Sequence, residues 1–255
     1  MTKADTAPDF SVKLVETEGE LRAAQALRYQ VFVQELGGGG DLVDHANGLE
    51  RDRFDPFFDH MTVTETASGQ VVGVYRLMRS DQAKAAGQFY SEDEYDLTLL
   101  RKSGRRLLEL GRSCLHRDYR SGMAMYHLWN GLADYVARHQ IDLLFGVASF
   151  HGTDINKLSA PLSLLHHKHL APSDLRVRAR PAQFLSMDVI PPKYLDKRKA
   201  MIMMPALIKA YLRLGGTVGE GAWIDRDFNT VDICMVLDTE RLNARQKRLY
   251  AGGLR

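Results

Sequence analysis

Polar and apolar residues alternate from Ser11 to Val15, with Val12 and Leu14 set against Ser11 and Lys13, and this period of two predicts a strand. The period then changes. Leu21, Ala24, Leu27, Val31 and Phe32 recur at helical spacing, which predicts an amphipathic helix over Glu18–Leu36. Gly37 to Gly40 ends that helix and opens a flexible loop, acidic and aromatic, that runs to about Phe58. Met61–Thr66 and Gln70–Met78 read as two strands joined by a turn at Ser68-Gly69. Residues 81–106 show no single period. Leu107–Leu115 reads as a strong strand, Met123–His139 as a helix and Leu143–Phe150 as a buried strand. A helical segment follows near Pro161–Leu170, with weaker strand signals at Val177 and Phe184–Val189. Beyond Pro191-Pro192, an apolar helix over Met201–Leu214 should stop at Gly215-Gly216, and Thr230–Leu237 reads as a last strand. Strands interleaved with helices, with one hairpin, predict an α/β (α+β) fold: a mixed central sheet flanked by helices. The expected layout is a single domain, with a core over residues 10–190 and a C-terminal extension over 191–255 packed on it.

Composition narrows this picture only modestly. A chain of 255 residues can bury a sizeable core, and a formal net charge of +2 gives no argument for nucleic acid. Cys114 and Cys234 stand far apart without a CxxC motif, so reduced core thiols and a cytoplasmic protein are expected. The polar N-terminus lacks the apolar run of a signal peptide. Met201–Leu214 is interrupted by Pro205, Lys209 and Arg213 and is too short to cross a bilayer. Any membrane association should therefore be peripheral.

The chemistry concentrates in LLELGRSCL, where Glu109 and Arg112 interrupt an apolar run. Buried charges are costly unless paired or used. A regular strand would send these two to opposite faces. A bulge at Gly111 would bring them to one face and turn a backbone N–H away from the ladder, where it can meet an oxyanion. A buried ion pair joining the two sheet faces is the alternative. In HRDYRSGMAM a strand end, a Ser-Gly loop and a helix start suit an anion or a pantetheine arm, or else simply a helix entry. Asp52 and Asp55, in the aromatic RDRFDPFFDH, could hold a cation or form a solvated turn. His166, His167 and His169 lack a metal-binding arrangement such as HExxH, and no metal is expected. GxSxG and Walker A motifs are absent.

Arg28-x-x-Val31-Phe32, Asp52 and Asp55 in RDRFD, Gly73-x-x-Arg76-Leu77 and Glu109-x-x-Arg112 together resemble the acyl-homoserine-lactone synthases. That family expects a tryptophan soon after the first helix, where this chain reads LGGGGD. ASFHGTD, LHHKHLAP, RVRAR, YLRLGGTVGEGAW and DFNTVDICMVL resemble the related ornithine-lipid N-acyltransferases, over roughly residues 10 to 250. The resemblance implies a GNAT-like fold. It also implies transfer of a 3-hydroxyacyl group from acyl carrier protein to the α-amine of ornithine, giving lyso-ornithine lipid. No bound cofactor is expected; the acyl-carrier thioester is a co-substrate. Glu109 becomes the candidate base and Arg112 its catalytic partner. Arg28, Phe32, Arg76 and Ser149 are expected at the substrate, with Arg28, Arg76 or Arg112 on its carboxylate and Asp52 or Asp55 on its side-chain ammonium. Tyr119 replaces the Gln or Arg that opens the usual GNAT pyrophosphate loop, which favours a carrier-borne pantetheine over coenzyme A. Arg105, Arg106, Arg117, Arg120, Ser121 and Gly122, with Arg101 and Lys102, are expected to meet the acidic carrier protein and its arm. A companion O-acyltransferase is expected to complete the lipid, and a lipid product implies peripheral contact with the inner face of the cytoplasmic membrane, with Met201–Leu214 as either that contact or a core helix. Other acceptors (glutamine, lysine or a lactone precursor), an acetyl-CoA enzyme and an inert binding module are the competing readings.

Overall fold

The computed structural model of the chain describes residues 8–41, 43–120 and 123–242. Its main sheet is built from β1 (Phe10–Leu14), β2 (Asp59–Glu65), β3 (Val71–Arg79), β5 (Leu107–Leu115), β6 (Leu143–His151), β8 (Phe184–Leu185), β9 (Thr217–Val218), β10 (Ala222–Asp225) and β11 (Thr230–Asp238). The spatial order is β1-β2-β3-β5-β6-β11-β10-β8, with β9 on β11. Neighbours are antiparallel except β5 and β6, which are parallel and need the crossover supplied by α4 (Ala124–His139). Short strands β4 (Tyr95–Asp96) and β7 (Arg178–Ala179) pair separately. The remaining helices are α1 (Glu18–Arg28), α2 (Ser80–Ala86), α3 (Thr98–Lys102), α5 (Ile155–His169), α6 (Lys197–Met203) and α7 (Ala206–Arg213). This is the mixed sheet flanked by helices that the sequence predicts.

Two apolar cores lie on the two sides of the sheet. Leu128, Leu132, Leu162, Ile208 and Tyr211, from α4, α5 and α7, cover the side that carries Tyr75, Leu110 and Met235. The opposite side holds Val74 and Cys114 under α1, and Phe145, Cys234 and Val236 under Phe89, Tyr95 and Leu100. Both cysteines are free and buried, as expected.

Three departures from the sequence reading affect the site. The helix expected over 18–36 starts on a capping box, in which Glu20 N–H donates to Thr17 Oγ1 at 3.3 Å, but its last part, Tyr29–Glu35, widens into a π-helix. Such widened turns recur at functional sites, and this one brings Phe32 to the cavity described below. The helix expected over 201–214 is two helices, because Pro205 supplies no N–H and disfavours a helical residue before it. Its end is as expected, with Gly215 at φ 89°. Finally, residue 190 does not divide the sheet. β8 pairs with β10 across that point, and β11 lies against β6 over its whole length. Every residue of β11 is buried, so this strand needs a central place in the sheet rather than an appended lobe.

Candidate active site

β5 and β6 are paired only from Leu107–Leu143 to Glu109–Phe145, and then they part. At Gly146 a Cβ would lie 2.1 Å from the Leu110 carbonyl oxygen, so any side chain there must displace β5. On β5, Arg76 of β3 pairs with Gly111 and Val74 with Cys114, so Arg112 and Ser113 together face Tyr75. This is a β-bulge, and Arg112 adopts the left-handed φ of 49°. The sequence reading placed the bulge at Gly111; it falls one residue later because Gly111 keeps its place in the ladder. The consequence is the one anticipated, since Glu109 and Arg112 both meet the Tyr90–Ser91 turn.

A cavity of about 220 Å³ threads the gap between the parted strands. One side of it is apolar, formed by Tyr75, Leu110, Leu207, Tyr211, Met235 and Leu237. The other side carries Phe32, Tyr90, Arg112, Ser149, Asp225, Phe228 and Asp232. The four glycines close against this polar side rather than forming a free loop. Gly38 N–H donates to the Phe32 carbonyl and Gly39 N–H to that of Asp227, both at 2.8 Å. A Cβ on Gly38 would lie 2.6 Å from the Phe228 ring.

The expected arginines and acids come together, but mainly with each other. Arg28 pairs with Glu50 and, at 2.8 Å, with Asp55. Arg76 Nη1 reaches Asp52 at 2.7 Å and Asp55 at 2.6 Å. Arg112 reaches Glu50 at 3.1 Å, Asp52 at 3.4 Å and the Tyr90 hydroxyl at 3.2 Å. Three guanidiniums and three carboxylates thus neutralise one another. Burial alone would raise the Glu50 carboxyl, but Arg112 and Arg28 pull it down to about 2. Asp52 and Asp55 are likewise held below the usual range, against burial, by Arg76 with Arg112 and by Arg28 with Arg76. Arg28 and Arg76 are fully enclosed, so neither is placed to take a substrate carboxylate. Asp55 is similarly committed, to Arg28 and Arg76, and is not placed to take a substrate ammonium. Arg112 is the member of the network that lines the cavity, stacked 4.7 Å from the Phe228 ring centroid and 5.0 Å from that of Tyr90. Glu50 was missed in the sequence because it sits in a loop with no period to mark it as buried.

Glu109 accepts from Tyr90 N–H at 2.8 Å, from Ser91 N–H at 2.6 Å and from the Ser91 hydroxyl. Burial raises its carboxyl to about 7 even though the Ser91 and Tyr90 donors favour the charged form. A carboxyl near 7 has the proton affinity of a useful general base. The same contacts make it the anchor of the 90–94 turn, which ends at Glu94.

That turn completes a second acidic group absent from the sequence reading. Glu94, Asp225 and Asp232 bring one oxygen each to within 4.8 Å of one another. Burial, then repulsion from Asp232 and Asp225, raises Glu94 well above its ordinary value. Burial raises Asp232 to about 6, although the Ser149 hydroxyl favours its ionised form. Ser149 lines the cavity, directly opposite Asp232 in the ladder. Asp232 did carry a signal, an acid inside the apolar run TVDICMVL, the same signal that marked Glu109.

The basic residues do not form one patch. Arg105 pairs with Asp238 at 2.7 Å and with Glu240, Arg106 with Asp142 at 3.0 Å, and Arg101 with Glu92. Arg105 and Arg106 precede β5, whereas Arg117, Tyr119 and Arg120 follow it, about 26 Å away along the strand. Arg120 pairs with Glu35 at 2.6 Å, Arg117 is largely exposed, and Tyr119 packs edge-on to Phe10 at 5.9 Å. Ser121 and Gly122 lie outside the described residues. His166 and His167 gather with Asp188 at the surface, where His167 Nε2 donates to the Ile190 carbonyl at 2.9 Å.

Comparison with known proteins agrees with this geometry. Residues 27–130 match the model of the acetyltransferase (GNAT) domain. An L-ornithine N(alpha)-acyltransferase of Rhodobacter capsulatus is 55% identical over 94% of this chain and 94% of its own. One from Brucella abortus is 42% identical over 94% of this chain and 88% of its own. Among solved structures, an N-acyl amino acid synthase from uncultured soil microbes superposes with a TM-score of 0.52 at 12% identity, covering 94% and 98% of the two chains. An AHL synthase superposes at 0.51 and 16% identity, covering 97% and 96%. The parted strands, the bulge at Arg112 and these relatives converge: the chain is an acyltransferase of the GNAT fold and belongs to the L-ornithine N(alpha)-acyltransferase family.

Proposed function

We propose that this protein transfers a 3-hydroxyacyl group from the phosphopantetheine thioester of acyl carrier protein to the α-amine of ornithine, forming lyso-ornithine lipid. The observation that carries this reading is the cavity through the β5–β6 gap, apolar on one side of the sheet and polar on the other. A pantetheine thioester in the gap leads its acyl chain toward Tyr75, Leu207, Tyr211 and Leu237 and meets the amino acid on the side of Arg112. The names of the relatives support ornithine as the acceptor.

The amino acid's α-ammonium must lose a proton before it can attack. Glu109 takes that proton, through a water or after the turn at Tyr90–Ser91 yields one of its hydrogen bonds. The amine nitrogen then bonds to the thioester carbon, and the oxyanion that forms faces the bulge, whose Arg112 and Ser113 backbones fall outside the β3 pairing. Collapse breaks the C–S bond, and the thiolate leaves with a proton. Arg112 takes the acceptor carboxylate.

Tyr119 at the start of the loop into α4 supports a carrier-borne arm, and exposed Arg117 supports docking of an acidic protein beside it. The product would keep a free hydroxyl on its acyl chain, so a companion O-acyltransferase must complete a diacyl lipid. Among the described residues no helix is long and apolar enough to cross a membrane. Peripheral contact is supported by α6, where Met201, Ile202 and Met203 are exposed beside Lys197, Arg198 and Lys199, with Tyr194 nearby. The α7 half of the segment is instead wall and core, through Leu207 and Tyr211.

The test is to incubate purified protein with 3-hydroxyacyl-acyl carrier protein or the matching acyl-CoA and a panel of amino acids, following thiol release and product mass. N-acylornithine from the carrier-bound donor is the expected result. Product with glutamine or lysine alone would move the acceptor. Turnover with acyl-CoA but not the carrier would overturn the donor.

A further inference from the structure

We propose that Glu94, Asp225 and Asp232 form a binding site for a primary ammonium group, the side-chain end of a diamino-acid acceptor. The proposal rests on the ornithine reading above and gives that substrate's second amine a place the arginine–carboxylate network cannot offer.

Every acid of that network has an arginine against it. Glu94 and Asp232, buried to the same degree, make no salt bridge among the described residues, and Glu94 Oε2 and Asp232 Oδ1 have no hydrogen-bond partner. Buried acceptors of this kind carry a large desolvation cost unless a donor arrives. A donor can reach them from outside the fold, because Asp225 and Asp232 line the open cavity.

Asp232 stands opposite Ser149 on β6, and Val147, on the same side of that strand, borders the gap beside the bulge. Two residues along a strand span about 6–7 Å, the reach of an extended three-methylene side chain. An acceptor whose α-amine lies at the bulge and whose carboxylate meets Arg112 would therefore deliver its terminal amine to the three acids.

An ammonium has three N–H donors, and three carboxylates within 4.8 Å of each other supply an acceptor for each. The same three carboxylates, with the Ser149 and Thr230 hydroxyls beside Asp232, are also oxygen donors of the kind a divalent cation takes, and the test below separates the two occupants. The groups that face these acids are Glu109 on β5, Arg112 at the bulge and Tyr95 across β11. With the acids repelling one another, a bound cation favours their ionised forms, so ornithine affinity should weaken as pH falls through about 6.

The test measures binding of ornithine and of norvaline, the same chain without the terminal amine, by calorimetry, and kcat/KM for both with the acyl donor. Asp232→Asn should lower the ornithine-to-norvaline preference by roughly 30-fold or more, with the loss seen in ornithine affinity. Asp225→Asn, at a half-buried position that spares the core, should lower it in the same direction, and thermal melts confirm that both variants are folded. An unchanged preference in both folded variants places the amine elsewhere and overturns the proposal. Equal wild-type affinity for the two amino acids also overturns it, as does activity lost to a chelator and restored by calcium or magnesium. Ornithine binding that depends on Asp232 without any N-acylornithine from either donor would keep the ammonium site and sink the acyltransfer reading instead.

Discussion

Two sets of buried acids lie on the same side of the sheet, and their chemistry is opposite. Glu50 is 1% exposed and its carboxyl is pulled down to about 2; Glu94 is 5% exposed and its carboxyl is pushed well above its ordinary value. Burial raises both, and the difference is the company each keeps. Glu50 touches Arg28 and Arg112, whereas Glu94 faces Asp225 and Asp232. Burial sets the cost of a charge, and its neighbours decide whether the charge exists. The balanced set builds a rigid wall beside the bulge; the unbalanced set has no arginine or lysine against it among the described residues.

The largest break in this contrast should come from Arg28→Ala, which strands Glu50 and Asp55 without their shared partner. It should cost about 3–5 kcal/mol of folding stability, read as a lowered urea midpoint. A loss under about 1 kcal/mol would mean that the network is hydrated and not the wall described here.

Gly146→Ala should come next. Its methyl group meets the Leu110 carbonyl and pushes β5, which carries Arg112, away from β6, which carries Ser149. A stability loss of about 1–3 kcal/mol is expected, together with a fall in kcat. Full turnover would show that the spacing of the two acid sets does not matter.

Asp232→Asn should have the opposite sign at high pH. Asp232 is raised from 3.8 to about 6, so its ionisation destabilises the fold as pH climbs through that window. Asparagine removes the penalty: the variant should be about 1–3 kcal/mol more stable than wild type at pH 8, with the gain disappearing near pH 4. Glu50 behaves in the reverse manner. Its folded value of about 2 gives stability that is present above 4.5 and lost as pH falls toward 2. Thermal melts across pH separate the two sets directly.

The smallest effect belongs to the surface. Arg106→Ala breaks an exposed pair with Asp142 and should leave the thermal midpoint almost unchanged, the more so in high salt. If it also leaves the KM for acyl carrier protein unchanged while Arg117→Ala raises it, docking belongs to the C-terminal end of β5.

The strands of the gap were legible because their apolar runs are long: Leu107–Leu115, Leu143–Phe150 and Thr230–Leu237 all appear near their expected bounds. Glu109 and Arg112 were legible because a charge inside such a run demands a reason. Short elements were not. β4, α3 and β10 are held by their neighbours rather than by a period of their own, and Tyr95, for one, is fixed by hydrogen bonds to the Gly221 and Asp232 carbonyls, both at 3.0 Å.

The sequence alone determined where the chain must be buried, which charges are thereby exceptional, and which family has them in this order, because periodicity and residue type act locally. It could not say which charges meet. Glu50, Asp52 and Asp55 gain their arginines from α1, β3 and β5, and Glu94 finds Asp225 and Asp232 some 130 residues away. Only the tertiary structure decided that one set of acids is neutralised and the other left open, since electrostatic energy depends on distances that the fold creates and the sequence does not record.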